Sequence, residues 1–431
     1  MDRKWNVDLF KNREECLEAL KAIDDGIDKL KSKNPSVASA DASLELIQEY
    51  FKYRDLAYRC LVYGSLSFYA DTSEENAELK RLVEQKNEDT ISSLSFINEM
   101  FISMGKDEIE RQLDENTDLR KYRHYLDELF RKQRHEKSSE EIVSLKKSIN
   151  NLIQEYNRIV LGVKFDSILV DGKEIELDNK NIAKYLASRD HETREQAYLS
   201  LNHGYQKVED ELVGLIDELY EKRNALSKLL GYRNVLEMAI DEEAIEPTIL
   251  EKTIDIVHKK IELLQKYMKE KKRILGYPEP HLYDLGISLE SGIKKKFPFE
   301  ETIPLLDKIF EPLGEKYTAV IHRLFGENHI DSEIRDSKHQ ITFSWYGFSF
   351  LNYHDAYGDL KNLVHELGHS SNDLLSQHLP FPYRISSVFV GETASIVNEI
   401  LLVRYLLSQS EKEDDKRYYL EKEIDNYITS V

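Results

Sequence analysis

Proline and glycine are scarce in this sequence, at 9 and 17 of 431 residues, below the usual shares of roughly 5% and 7%. A sandwich or barrel needs a turn signal about every 8–12 residues, and those signals are missing. Leu, Glu and Lys are abundant instead, which favours long helices. Cysteine is rarer still. Cys16 and Cys60 supply no disulfide framework and no cysteine-based zinc site, and both read as small buried hydrophobes within helices. No apolar run approaches the ~20 residues that span a bilayer. The opening MDRKWNVDLF lacks the apolar stretch of a secretory signal. A soluble, cytoplasmic protein with no membrane partner is therefore expected. Positive charge is in deficit, with 60 basic against 80 acidic residues and a net charge of −20. Phosphate binding needs a basic face, so nucleic acid is not an expected partner. Hydrophobic residues at 41% and aromatic residues at 10% exclude a disordered chain.

Residues 8 to about 160 read as successive long helices. Between Leu44 and Phe68, the residues Leu44, Ile47, Phe51, Leu56, Cys60, Tyr63 and Leu66 follow the helical period. Thr72 and Glu75 read as a capping box, and the helix they open runs to about Met104 before Gly105 stops it. Val163–Leu177 changes character: VKFDSILV, then Asp171-Gly172, then KEIELD spells a β-hairpin on a D-G turn. Asp190 reads as the N-cap of a helix over 192–202. Further helices are expected at 207–230, ended by Gly231, and at about 247–275 and 301–325. Lys294–Pro298 reads as a solvated basic loop. QITFSWYGFSFLNY at 340–353 is the second break, read as two short strands or an extended edge. The expected division falls near 180, with an N-terminal helical lobe at 1–180 ending in the hairpin and a second domain at 181–431.

The chemistry is concentrated in His365-Glu366-Leu367-Gly368-His369. With 13 histidines in the chain, one chance HExxH has odds on the order of one in twenty, so context decides. Leu360, Leu363, Val364, Leu367, Leu374 and Leu375 recur at helical spacing after Asp359. His365 and His369 then project from another face, one turn apart, where two imidazoles can share one zinc ion. Glu366 can reach a zinc-bound water as general base.

A catalytic zinc takes three protein ligands and keeps one position open. The metzincin spacing would place a third histidine at 375, and that residue is Leu375. The segment VFVGETASIVNEILLVRYLL supplies carboxylates instead. Glu392, Ser395 and Glu399 share one helical face, while Val388, Ile396, Leu401 and Leu407 contribute to the buried side. A glutamate in so apolar a segment is costly unless paired or ligating. Glu392, 23 residues after His369, is expected as the third ligand. Glu399, two turns on, is expected to hold an imidazole N–H.

VHELGHS followed by FPYRISSVFVGETASIVNEILL resembles the zinc site of the M3 peptidases, and above all the oligoendopeptidase F group. WNVDLFKN, KYRHYLDELFRKQRHEKSSEE, KFDSILVDGKEIEL and HLYDLGISL resemble the same group, so the likeness covers the whole chain. It implies a mainly α fold, an elongated multi-helix body with a deep substrate channel as in neurolysin and thimet oligopeptidase. A small β-hairpin and a short β segment before the zinc helix complete it. It implies one Zn2+ per chain, His365, His369 and Glu392 as its ligands, and Glu366 as the catalytic acid/base. Residues 181–431 would be the catalytic domain. Phe348–Tyr353 matches the strand that borders the bound peptide, with Tyr353 and His354 at its end as substrate-binding residues; packing against the zinc helix is the competing reading of both.

Two departures accompany the resemblance. The family's G-A-Y segment before this strand is DSKHQITFSW here. Relatives also continue past the point matching Val431, with a tyrosine- and glycine-rich segment that donates hydrogen bonds to substrate. The expectation is a fragment or a shortened relative, truncated at the C-terminus but with a complete metal site. The implied activity is zinc-dependent hydrolysis of internal bonds in short unstructured peptides, with no obligate protein partner. The alternatives are a zinc carboxypeptidase on a similar helical body, or a shortened peptide-binding relative of weak activity. No P-loop, dinucleotide fingerprint or G-x-S-x-G elbow competes.

Overall fold

Helix is the default where so few residues interrupt it, and a computed structural model of the chain is built mainly of helices, with five short strands among the described residues. The structure describes residues 3–33, 35–135, 139–179, 181–276, 279, 281–284, 287–289, 295–385 and 387–430, without the side chains of residues 388, 389, 427, 429 and 430. Lys294, Val431 and the Val388 side chain therefore lie outside the described residues. Among the described residues no helix is long and apolar enough to cross a membrane. The chain forms two compact units, one of Met1–Gln133 with Ile293–Ser410 and one of Arg134–Gly292 with Glu411–Val431. This division differs from the expected break near 180. Helix Glu140–Gly162 packs through Ile142 and Ile149 against Leu226 of helix Glu209–Leu229, so residues on both sides of 180 share one core.

The first unit opens with helices Arg13–Ser32 and Ala40–Ala70, capped by the side chains of Asn12 and Ser39. Cys16 and Cys60 are fully buried between them. The capping box expected at Thr72 does not form. Helix Glu74–Ser93 starts one residue later on Ser73, with no side-chain cap bond. Nor does that helix run unbroken to Met104. Leu94, wholly buried, leaves the helical path, and Ser95–Met104 follows as a separate helix before Gly105. The expected helix at 301–325 is likewise two, Thr302–Phe310 and Glu315–Gly326, parted by Gly314 at φ 83°.

The second unit contains the hairpin of β1 (Ile168–Val170) and β2 (Lys173–Ile175). Val170 pairs with Lys173 across Asp171 and Gly172 at φ 51° and 74°, the two-residue turn that suits the strand twist. Asp190 caps helix His191–Gln206 by accepting from the Thr193 N–H at 2.7 Å. The helix expected at 247–275 is Pro247–Leu275.

The larger sheet lies in the first unit. Its strands are β3 (Ile330–Asp331), β4 (Phe343–Trp345) and β5 (Phe348–Phe350), in the order β3-β5-β4. The expectation that the Phe348–Tyr353 strand borders a peptide is corrected here. β5 is central, parallel to β3 and antiparallel to β4, and Phe348 and Phe350 are buried. The edges belong to β3 and β4. Part of the unfamiliar DSKHQITFSW stretch anchors this sheet: the fully buried Lys338 ammonium donates to the Asp331 carboxylate at 2.7 Å and to the Leu351 carbonyl at 2.7 Å.

Candidate metal centre

Helix Tyr357–Ser376 carries the HExxH motif. Asp359 begins it, its carboxylate accepting from the Ala356 N–H at 2.9 Å. Leu360, Leu363, Val364, Leu367 and Leu374 are buried as the periodicity requires, but Leu375 is 46% exposed and leaves the stripe. The helix is pinned to the sheet by Ser370, whose hydroxyl lies 2.6 Å from that of Ser344 and 2.8 Å from that of Ser349. Asp373, one turn on, accepts from the Gly347 N–H at 2.9 Å. It thereby holds the turn between β4 and β5, where Tyr346 and Gly347 take φ 56° and 85°.

The second helix, Val388–Gln409, packs against the first. Its buried face is not the one expected. Ile396 is 38% exposed, Leu401 and Leu407 are half-buried, and the buried positions are Ser395, Asn398, Leu402, Val403 and Leu406, of which Ser395 and Asn398 meet the first helix. Gly368 explains why. A Cβ built there would lie 2.5 Å from the Ser395 Cα, so only glycine lets the two backbones come this close. Asn398 ties the pair by donating to the Val364 carbonyl at 3.1 Å.

That close approach brings Glu392 to the imidazoles. His365 Nε2 and His369 Nε2 are 3.2 Å apart, and the Glu392 carboxylate lies 3.5 Å from the first and 3.7 Å from the second. One donor atom from each of the three falls within 4.8 Å of the others. Zinc bonds of about 2.0–2.1 Å in a tetrahedron set ligands about 3.3–3.4 Å apart, so the donor set and its spacing fit zinc. Ser395 steadies the carboxylate, donating to Glu392 Oε2 at 2.9 Å. His365 Nδ1 stands 2.6 Å from Glu399 Oε1, the partner that fixes a ligating imidazole. His369 is held on its other side by the backbone of Gly391. The burial cost argued from sequence applies best to Glu399, whose side chain is 14% exposed, while that of Glu392 is 44% exposed towards the cavity.

Glu366 lies beside the cluster and is 6% exposed. Burial pushes its carboxyl up to about 7; the His365 charge opposes this and the Glu392 and Glu399 charges add to it. Burial alone would depress His365, but the Glu399 bond and the three nearby carboxylates outweigh it and raise it. His369 is lowered, by burial first and then by the His365 charge. The two imidazoles thus behave as a pair that resists holding two protons.

A cavity of about 470 Å³ opens onto His365, Glu366, His369 and Glu392 and is walled by β4, Tyr58, Tyr346, Asp373 and Arg384. The other two residues singled out from sequence are not brought to it. Tyr353 is 1% exposed; its hydroxyl donates to the Phe297 carbonyl at 2.8 Å and its ring meets Phe299 edge-on. His354 is exposed near Asp359. Sequence reasoning missed Gly368, Asn398, Asp373 and Arg384. The glycine inside HELGH was the one visible signal of a close crossing.

Residues 184–431 match the sequence profile of peptidase family M3. Oligopeptidase PepF of Bacillus subtilis is 25% identical over 99% of this chain and 66% of its own length. Group B oligopeptidase PepB of Streptococcus agalactiae is 26% identical over 94% of this chain and 68% of its own. The chain thus spans about two thirds of the length of these relatives. Among solved structures, a candidate peptidase from Chlamydophila abortus aligns over 100% of this chain and 74% of its own, at TM-score 0.81 and 23% identity. Oligoendopeptidase-F from Enterococcus faecium aligns over 96% of this chain and 70% of its own, at TM-score 0.63 and 21% identity. At these identities the structures speak for the fold.

Proposed function

Because the chain belongs to peptidase family M3, we propose that it is a zinc-dependent oligoendopeptidase that hydrolyses internal bonds of short unstructured peptides. The observation that carries this reading is the convergence of His365, His369 and Glu392, with buried Glu366 beside them, on one cavity. His365, His369 and Glu392 would hold the ion. When bound, zinc acidifies a water molecule and polarises a carbonyl group. Glu366 would act as the base beside the site, holding a proton taken from the attacking water and passing it to the leaving amine. Its carboxylate is screened from bulk solvent by the two helices, so the proton stays at the site. Glu399 and the Gly391 backbone keep both imidazoles facing the cavity. The edge strand β4 walls the same cavity, and an extended peptide added along its edge would gain main-chain hydrogen bonds. That geometry favours unfolded oligopeptides over folded proteins. The two free, buried thiols suit a cytoplasmic location.

The test is a peptide blocked at both ends and internally quenched, incubated with the zinc-loaded chain and with its Glu366→Gln variant. Internal cleavage by the first and none by the second supports the reading. Release of C-terminal residues from unblocked peptides alone would indicate a carboxypeptidase. Peptide affinity without turnover in either protein would indicate a binding module.

A further inference from the structure

We propose that Arg384 gives this site a preference for peptides bearing a carboxylate near the bond to be cut, by pairing its guanidinium with that carboxylate. The inference rests on the peptidase reading and adds a ligand chemistry to it. Arg384 is the one lysine or arginine among the described residues that wall the cavity. The other charged side chains there are Glu366, Asp373 and Glu392, besides the two imidazoles. Apart from the ion that the site would hold, Arg384 is therefore the side chain there whose fixed positive charge attracts an acidic ligand.

The guanidinium is already aimed. Arg384 Nε donates to the Leu379 carbonyl at 2.8 Å, which fixes the plane of the group. The anion beside it is Asp55, with Oδ2 at 3.4 Å from Nη1. That is a single, long contact against the 2.7–2.9 Å of a strong charge-assisted bond. Asp55 also accepts from the Tyr346 hydroxyl through Oδ1 at 3.3 Å, and it does not itself line the cavity. Arg384 is 27% exposed. A ligand carboxylate can pair with it in the two-pronged geometry that arginine favours.

The position also sets the register. A compact cavity of about 470 Å³ is roughly 10 Å across, about three residues of extended chain at ~3.3 Å each. The recognised carboxylate belongs to a residue within about three of the one whose carbonyl meets the cluster. Arg384 also walls a second hollow of about 750 Å³, with Tyr122 and Tyr383, which gives the peptide somewhere to continue. Two sources share this chemistry: the C-terminal carboxylate of a short peptide and an Asp or Glu side chain in a longer one.

The experiment compares four forms of one fluorescent peptide: free C-terminus or amide, each with Glu or Gln two residues from the cut bond. Binding is read on the Glu366→Gln chain, which needs no turnover, and KM and kcat on the unaltered chain. Carboxylate forms should bind roughly 10–100-fold tighter than their neutral partners. A gain confined to the free terminus or to Glu identifies the source. Arg384→Gln should erase the difference through KM with kcat little changed. Arg384→Lys should keep a small part of it. Asp55→Asn, which removes the competing anion, should enlarge it. A carboxylate preference that survives Arg384→Gln, with neutral peptides still bound and cut, overturns this inference alone. Failure of the unaltered chain to bind or cut any of the four overturns the peptidase reading beneath it.

Discussion

A Cβ on Gly368 would lie 2.5 Å from the Cα of Ser395 and 2.7 Å from its backbone nitrogen. The obstructing atoms are main chain, so no side-chain rotation relieves them. The crossing of the two helices, and with it the distance from Glu392 to His365 and His369, depends on the missing side chain. Gly368→Ala should therefore lower stability by about 1–3 kcal/mol and weaken zinc binding as the helices part. Gly358 is the control, since a Cβ there meets nothing within 4 Å. Urea unfolding with zinc chelated, followed by zinc titration, checks both variants. Equal behaviour of the two alanine variants would mean that the crossing tolerates a methyl group.

Glu399 touches the site through His365 Nδ1 at 2.6 Å and stands 3.5 Å from Lys361 Nζ. Glu399→Gln should weaken zinc binding roughly 10–100-fold without abolishing it, the usual scale for a partner behind a ligand. Glu392→Gln should weaken it far more. Calorimetric titration of both variants decides. The reverse order would exchange the roles of the two glutamates.

Helix Tyr357–Ser376 was legible because its apolar residues recur at 3.6 spacing and its two histidines at four. A carboxylate in an apolar helix needs a reason, and that drew attention to both glutamates, though the burial argument holds for Glu399 and not for the half-exposed Glu392. The face on which that helix is buried was not. It is made by Ser395 and Asn398 against Gly368, where close approach takes the place of hydrophobicity as the signal. The order of the strands was hidden too. β5 becomes central only because Ile330–Asp331, far upstream and two residues long, pairs with it in parallel. The same arrangement leaves β4 at the edge and draws Tyr353 into the core. The aromatic pattern of 340–353 alone cannot tell these strands apart.

Asp373 ties helix Tyr357–Ser376 to the β4–β5 turn, and burial pushes its carboxyl up to about 6 despite bonds from the Gly347 and Tyr346 backbone. The folded chain holds this proton to a higher pH than the unfolded chain does. Between about pH 4 and pH 6 unfolding releases it, so the contribution to stability falls as pH rises and levels off above pH 6. Asp373→Asn keeps an acceptor for the Gly347 N–H and removes the ionisation. It should be more stable than the parent by about 1–3 kcal/mol at pH 7.5, with the gap closing near pH 4. Urea midpoints at the two pH values, with zinc chelated, test this. A gap independent of pH would show that the carboxyl does not titrate in that window.

The central claim is that His365, His369 and Glu392 form one zinc site with Glu366 as the base beside it. The most direct measurement is the zinc content of three purified, dialysed proteins, with peptide cleavage read alongside. The parent chain should hold one zinc per chain. His369→Ala should hold essentially none. Glu366→Gln should hold one and cut no peptide. Undiminished zinc in His369→Ala, or loss of zinc in Glu366→Gln, would contradict the account.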